Sequence, residues 1–259
     1  MPLLTLLTDF GLQDVYVGVV KGAIAHVNPA LRVIDLTHQI PPQDLMAARF
    51  NLLAAVPYFP ERTVHVAIVD PGVGGSRQAI AIQFQRGFLV GPDNGIFSGV
   101  LDRYPAIEAV ELTLPQYWRT PKPSRTFQGR DVFATVGAHL ASGALLRDVG
   151  DPIALETLVE LPLPACETQD GMITGNVQYI DHFGNLITNI SAEGLSGNRW
   201  SVELGFDTIP RKETYADAPL GSLVCLIGSH GWVEIAVNGG SAQAQLQVTV
   251  GHPLQVNLD

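Results

Sequence analysis

The stretch Thr63 to Val69 constrains the fold more than any other part of this chain. It is β-branched and apolar apart from one histidine, and it stops at Asp70-Pro71-Gly72. A run that short with no polar face fits a strand buried on both sides, and such strands belong to parallel sheets covered by helices. Leu3 to Thr8 repeats the pattern and runs into Asp9-Phe10-Gly11. Helical periods lie between such runs. One spans about Val15 to Val27, with Val20, Ile24 and Val27 on one face, Asp14 as its expected cap and Asn28-Pro29 as its stop. Another follows Pro41-Pro42, about Asp44 to Tyr58, with Leu45, Ala48, Leu52 and Leu53 in a stripe. Further strands are expected at Arg32 to Leu36, Ala79 to Phe84, Phe88 to Val90 and Ala106 to Leu112, and further helices at Ile96 to Tyr104 and Asp131 to Ser142. The alternation predicts an α/β N-terminal domain with a mostly parallel sheet and helices on both faces.

From about Leu161 the pattern changes to short strands with no helical period. They are expected at Met172 to Ile180, Leu186 to Ile190, Trp200 to Gly205, Ser222 to Ile227, Trp232 to Val237, Gln245 to Val250 and Leu254 to Asn257. Turn signals separate them, among them His182-Phe183-Gly184-Asn185, Gly197-Asn198 and Asn238-Gly239-Gly240. This predicts an all-β C-terminal domain, an antiparallel barrel. Prolines at 152, 162 and 164 mark the junction, so the division reads as residues 1–158, a linker at 159–166, and residues 167–259.

Composition excludes several classes. Hydrophobic residues make up 46% and charged residues 15% of the 259 positions, enough apolar material for large cores. The net charge is −10 and no cluster of Lys or Arg exceeds the pair Arg125 and Arg130, so nucleic acid is not an expected partner. No apolar run approaches the ~20 residues needed to cross a bilayer. Met1 to Phe10 has neither the basic region nor the cleavage site of a signal peptide, so the expected location is cytoplasmic. The two cysteines, Cys166 and Cys225, are expected to be reduced and buried. His26, His38, His65 and His139 have no metal-ligand spacing, and no metal site is expected. His182 and His230 lie in turns, where they could line a pocket.

Ligands of doubly wound sheets sit at the carboxyl ends of the strands. That rule nominates Thr8-Asp9-Phe10-Gly11, Asp70-Pro71-Gly72-Val73-Gly74-Gly75-Ser76-Arg77 and Pro92-Asp93-Asn94-Gly95. Each sets a carboxylate beside glycines that admit a ligand to the backbone; each could equally be a turn or a cap. Neither the dinucleotide fingerprint nor a phosphate loop is present: Arg77 stands where Gly72-x-Gly74 would need its third glycine. A nucleotide-like ligand without phosphate stays open, because a carboxylate can accept both hydroxyls of a ribose.

These loops, together with Asp14, Thr126-Phe127-Gln128-Gly129-Arg130-Asp131, Ile180-Asp181-His182-Phe183-Gly184-Asn185 and Gly228-Ser229-His230-Gly231, resemble the S-adenosylmethionine hydrolase (hydroxide adenosyltransferase) family, whose relatives are the fluorinases and chlorinases. The resemblance runs in order over nearly the whole chain. It implies hydrolysis of S-adenosyl-L-methionine at ribose C5′ to adenosine and L-methionine, with no cofactor besides that small-molecule substrate. It also implies a homotrimer with its sites between subunits. Asp9 would chelate the ribose 2′ and 3′ hydroxyls, Asp181 would meet the methionine ammonium and Ser229 its carboxylate. Asn185 would help hold the adenosyl end, and Tyr215 would stack on adenine, with the backbone near Asn238 and Gly239 at its edge. Asp93, Asn94 and His230 join the substrate-binding set through their loops. Asp70 and Arg77 match two members of a water-handling set of Asp, Arg and His near C5′.

The third member departs from the pattern, because Gln128 stands where the family usually has His. A glutamine amide can hold water by hydrogen bonds but cannot take its proton near neutral pH. The departure does not point to a halogenase. Those relatives carry a hydroxyl-bearing aromatic where Asp70 stands, and a carboxylate there would repel halide. Two alternatives therefore accompany the hydrolase expectation: a non-catalytic protein that binds S-adenosylmethionine or adenosine, and transfer to a nucleophile other than water.

Overall fold

The computed structural model describes residues 3–195 and 199–258. The turn expected at Gly197-Asn198 lies outside them. The chain divides into two compact units, Met1–Leu161 and Pro162–Asp259.

The first unit opens with β1 (Leu3–Thr8), α1 (Tyr16–Val27), β2 (Arg32–Thr37), α2 (Leu45–Ala55) and β3 (Thr63–Ile68). β4 (Ala79–Phe84), β5 (Gly87–Pro92), α3 (Ser98–Arg103), β6 (Ala106–Glu111), α4 (Ala134–Ala141) and β7 (Asp151–Pro152) follow. All seven strands form one sheet in the order β2-β1-β3-β5-β4-β6-β7. β2, β1, β3 and β5 pair in parallel, while β4 runs against both of its neighbours. Alternate strand residues face opposite ways, as the two-residue period requires. Leu4, Leu6, Val64, Val66 and Ile68 face one way and pack with Val20 and Ile24 of α1 and Val136 of α4. On the other face His65 meets the rings of Phe59 and Phe84, and Phe84 meets Tyr104 just after α3. Helices thus cover both faces.

Asp44 starts α2 by accepting a hydrogen bond from the Ala47 N–H at 2.9 Å. Asp14 does not do the same for α1. The cap position is Val15, one residue later, and its side chain has no acceptor. From β1 the chain passes through α1 to β2 on one side, then through α2 to β3 on the other. The carboxyl ends of β1 and β3 therefore flank the point where the winding reverses, with the end of β5 next to them.

The second unit contains β8 (Glu167–Gln169), β9 (Met172–Ile180), β10 (Leu186–Ser191), β11 (Trp200–Leu204), β12 (Asp207–Pro210), β13 (Leu223–Ile227), β14 (Trp232–Val237), α5 (Ala242–Leu246) and β15 (Pro253–Leu258). The strands run β12-β11-β15-β9-β10-β14-β13, with β8 paired to β9, and every pairing between them is antiparallel. The two ends of this order meet. Arg211, just past β12, forms a parallel bridge with Cys225 of β13, and the Lys212 N–H donates to the Cys225 carbonyl at 2.8 Å. That contact makes the sheet a nearly closed barrel around Val177, Leu186, Trp200, Val202, Ile235 and Val256.

Two expectations are corrected here. Gln245 to Val250 is not a strand: Ser241 accepts from the Ala244 N–H at 3.1 Å and starts α5, which ends at Gln247 in a left-handed conformation, φ 54°. The alternation of Gln and Thr with Leu and Val imitated a strand, and the cap overrode it. Of the cysteines only Cys225 is buried; Cys166 is exposed, in the extended segment before β8, although its thiol donates to the Asn189 carbonyl at 3.4 Å. Burial pushes both thiols up, Cys225 to about 12. Among the described residues no helix is long and apolar enough to cross a membrane.

Candidate active site

Three carboxylates stand just beyond β1, β3 and β5, and the structure uses them differently. Asp9 follows β1, and its Oδ2 accepts from the Gln43 N–H at 2.9 Å. The chain around it is pinned: Thr8 Oγ1 is 2.8 Å from His38 Nδ1, and the Gly11 N–H donates to the His38 carbonyl at 2.8 Å. Asp9 Oδ1 takes no hydrogen bond from the described residues, so one oxygen of a positioned carboxylate is left for a ligand.

Asp70 ends β3. Arg77 grips it with both arms of its guanidinium, Nε to Oδ1 at 3.0 Å and Nη2 to Oδ2 in a very short contact. Fork-to-fork pairing of this kind fixes the carboxylate plane as well as its charge. The same Nη2 donates to Gln128 Oε1 at 2.6 Å. Arg77 lies over the ring of Phe133 at 5.2 Å, and its side chain and that of Asp70 are only 12% and 7% exposed. The three residues expected to handle water thus form one bonded cluster from loops far apart in sequence. Because Oε1 faces a guanidinium, the amide must present its NH2 group elsewhere, as a donor.

Gln128 stands at the entry of a π-helical turn, Gly129–Phe133, that leads into α4. Such turns are uncommon and recur at functional sites. Asp131 anchors this one. Burial alone would raise its pKa, but bonds from Arg130, Arg119 and the Ser124 N–H outweigh that and hold the carboxyl well below the usual range. Asp131 was quoted in the sequence motif but given no role. Its one signal is a carboxylate among the apolar residues that open a helix.

Asp93 and Asn94 brace their loop against neighbouring segments. Asp93 Oδ1 accepts from the Val159 N–H at 3.0 Å, and burial raises its pKa despite that bond. Asn94 Nδ2 donates to the Val69 carbonyl at 2.8 Å. With Leu161 N–H bound to Ser98 Oγ at 2.8 Å, these contacts tie 159–161 to the first unit.

In the second unit the loop after β9 is closed by Asp181. Its Oδ1 accepts from the Phe183 and Asn185 N–H groups, both at 2.9 Å, and Asn185 Nδ2 donates to its Oδ2 at 3.0 Å. Gly184 is obligatory there, at φ 80°, because a Cβ would lie 2.0 Å from Ser241 Oγ. Asn238 Nδ2 donates to the Ala218 carbonyl at 2.7 Å, which joins the turn at Asn238-Gly239 to the segment after Tyr215. Ser229 and Gly239 are exposed.

Glu234 of β14 was not singled out from the sequence, although a lone carboxylate in Trp232–Val237 is a signal in itself. It is 4% exposed. Tyr215 Oη donates to its Oε1 at 2.7 Å, and His230 Nε2 lies 3.2 Å from its Oε2. The Trp232 N–H donates to His230 Nδ1 at 3.2 Å, so both ring nitrogens of His230 are engaged within the protein and its proton sits on Nε2. Burial, the bond to Glu234 and the charges of Glu234 and Asp181 together raise the Tyr215 pKa, so its phenol is neutral. Among the described residues no group of three or more His, Cys, Asp or Glu could hold a metal ion.

The chain is 41% identical over 256 residues to the (R)-S-adenosyl-L-methionine hydrolase of Salinispora arenicola (strain CNS-205), covering 98% of this chain and 97% of that one. It is 27% identical to the fluorinase of Actinoplanes sp. (strain N902-109), over 96% of this chain and 97% of the other. A crystal structure of an uncharacterized conserved protein from Thermotoga maritima superposes with a TM-score of 0.92 at 33% identity, over 98% and 99% of the two chains. Family models for the N-terminal and C-terminal domains of one family match residues 4–150 and 175–255 in order, and the chain belongs to that family, the SAM hydroxide adenosyltransferases.

Proposed function

We propose that the protein hydrolyses S-adenosyl-L-methionine at ribose C5′ to adenosine and L-methionine. The observation that carries this reading is the bonded cluster of Asp70, Arg77 and Gln128 at the carboxyl end of β3. Water attacks C5′, the C5′–S bond breaks, and its electron pair goes to sulfur. The sulfonium leaves as a neutral thioether, so no general acid is needed. One proton must leave the attacking oxygen. Asp70 is the group that receives it or orients the water, and Arg77 fixes the plane of its carboxylate. Gln128, oriented by the bond from Arg77, aligns the water without deprotonating it, because an amide is not a base near neutral pH. Alignment alone contributes up to ~7–11 kcal/mol in good intramolecular models, whereas loss of a general base typically costs about 10²–10⁴-fold. A slow hydrolase fits these magnitudes.

In this reading Asp9 takes the ribose hydroxyls through its open oxygen, and Tyr215 stacks on adenine beside the turn at Asn238-Gly239. Asn185 supports the adenosyl end, Asp181 meets the ammonium and Ser229 the carboxylate. The reading includes a homotrimer with sites between subunits, a cytoplasmic location, and neither a cofactor nor a nucleic-acid partner. The test follows adenosine and methionine by chromatography after adding S-adenosylmethionine to the purified protein and to Asp70→Asn. Equimolar products from the wild type, with turnover reduced about 10²-fold or more in the variant, are expected. Unchanged turnover in Asp70→Asn would rule out its role. A second reading has one observation behind it: the residue that completes the cluster with Asp70 and Arg77 is an amide, which cannot take a proton. Calorimetric binding without any adenosine would establish that reading, a binding protein that has lost its chemistry.

A further inference from the structure

We propose that Glu234 is a positioning residue: it holds the hydroxyl of Tyr215 and the ring of His230 at once, and so sets the adenine platform and the loop carrying Ser229 as one rigid piece. The placement of Glu234 makes it suited to this. It sits in the middle of β14, opposite Ile187 of β10 on one side and Leu226 of β13 on the other, so its backbone is fixed by two neighbours. Its two oxygens accept from two different segments, Tyr215 at 2.7 Å and His230 at 3.2 Å. The clasp has no slack: a Cβ on Gly228 would lie 2.4 Å from His230 Cε1 and 2.5 Å from Glu234 Oε2. Tyr215 is anchored only at its tip and remains 43% exposed, which suits a flat ring held ready for stacking. A carboxylate meets both demands because each partner arrives as a donor. His230, with both nitrogens engaged inside the protein, then shapes the loop rather than touching the ligand.

The ligand side of this inference rests on the proposed substrate; the clasp itself does not. The experiment uses the full chain with Glu234→Leu, Glu234→Gln, Tyr215→Phe and the double variant Glu234→Leu/Tyr215→Phe. Calorimetry with S-adenosylmethionine and adenosine gives Kd, and NMR of labelled tyrosine follows the Tyr215 phenol against pH. Glu234→Leu and Tyr215→Phe are each expected to weaken adenosine binding about tenfold, the worth of one lost hydrogen bond, and to raise KM more than they lower kcat. The double variant is expected to bind no worse than the weaker single, because both changes break one link. Glu234→Gln recovers part of the loss, since its amide can turn oxygen to His230 and NH2 to the Tyr215 oxygen. The Tyr215 phenol is expected to lose its proton at lower pH in Glu234→Gln than in the wild type. Variants that bind like the wild type, losses that simply add in the double variant, or an unmoved phenol titration would each overturn the inference. Should Glu234→Leu not fold, Tyr215→Phe and Glu234→Gln still decide it. A wild type that binds neither compound would count against the proposed substrate, and the phenol titration would then judge the clasp alone.

Discussion

One nitrogen of Arg77 serves both Asp70 and Gln128, and that shared donor decides what Gln128 can do. The bond orients a neutral amide that has no basic site near neutral pH, so the cluster can hold a water but must let its proton go elsewhere. Histidine at the same place restores a base whose ordinary pKa is near 6.5. Gln128→His is therefore expected to raise turnover by about tenfold or more above pH 7 and to add an ionisation near that value to the pH–rate profile. Initial rates between pH 5.5 and 9 check this. An unchanged profile would mean that proton removal does not limit the rate. Asp70 and Arg77 were legible in the sequence because their loop ends a strand, whereas Gln128 was picked out only by the family resemblance. Glu234 was not legible, because its role comes from two partners 19 and 4 positions away, brought together only by the barrel.

The strands β1 and β3 carry a coupled pair. Thr5 lies opposite His65 in the parallel register, and Thr5 Oγ1 is 2.8 Å from His65 Nδ1. Burial and the charge of Arg86 lower the His65 pKa to about 4. A depressed histidine pKa means that the unfolded chain binds the proton more readily. The stabilisation is complete above the unfolded value near 6.5 and is lost as pH falls toward 4. Between pH 7 and 4.5 this one group is expected to cost about 2 kcal/mol of stability. His65→Gln keeps a hydrogen-bonding side chain but removes the titration, so its urea midpoint should move less over that range; an equal shift in both proteins would refute the assignment. At this scale the long elements were readable. β1, β4, β9 and β14 have the bounds expected from their apolar runs. β7, β8 and β12 are two to four residues long and exist because a neighbour offers them hydrogen bonds, which no local pattern announces. The same competition hid α5, where a serine cap outweighed alternation.

At the scale of the whole molecule, the first unit leaves an apolar group open. Leu12, Val15, Tyr16 and Val19 are exposed around the start of α1, with Leu12 at 66% and Val15 at 72%. Clustered apolar side chains of this size are usual where chains associate. They agree with the proposed trimer, and light scattering is expected to give about three times the 27.8 kDa of one chain. A mass near 27.8 kDa would remove sites between subunits from the reading. A change at Val15, Val15→Asp, should then lower the mass.

The seam of the barrel has a consequence for crowded solution. A strand that ends a sheet is a template for another chain, and unprotected templates recruit partners without limit. In the second unit the bridge between Arg211 and Cys225 joins the two terminal strands of the order, so that template is consumed internally. In the first unit one border ends on β7, just two residues long and finishing in Pro152, which has no N–H to offer. The other border, β2, carries Arg32 and Asp35. Growth by strand addition is thus blocked at the joined ends of the barrel and at β7, hindered at β2 by charge, and left at β8 a template only three residues long. Strand addition is therefore a poor route of association for this protein, and the exposed side chains around the start of α1 are the better one.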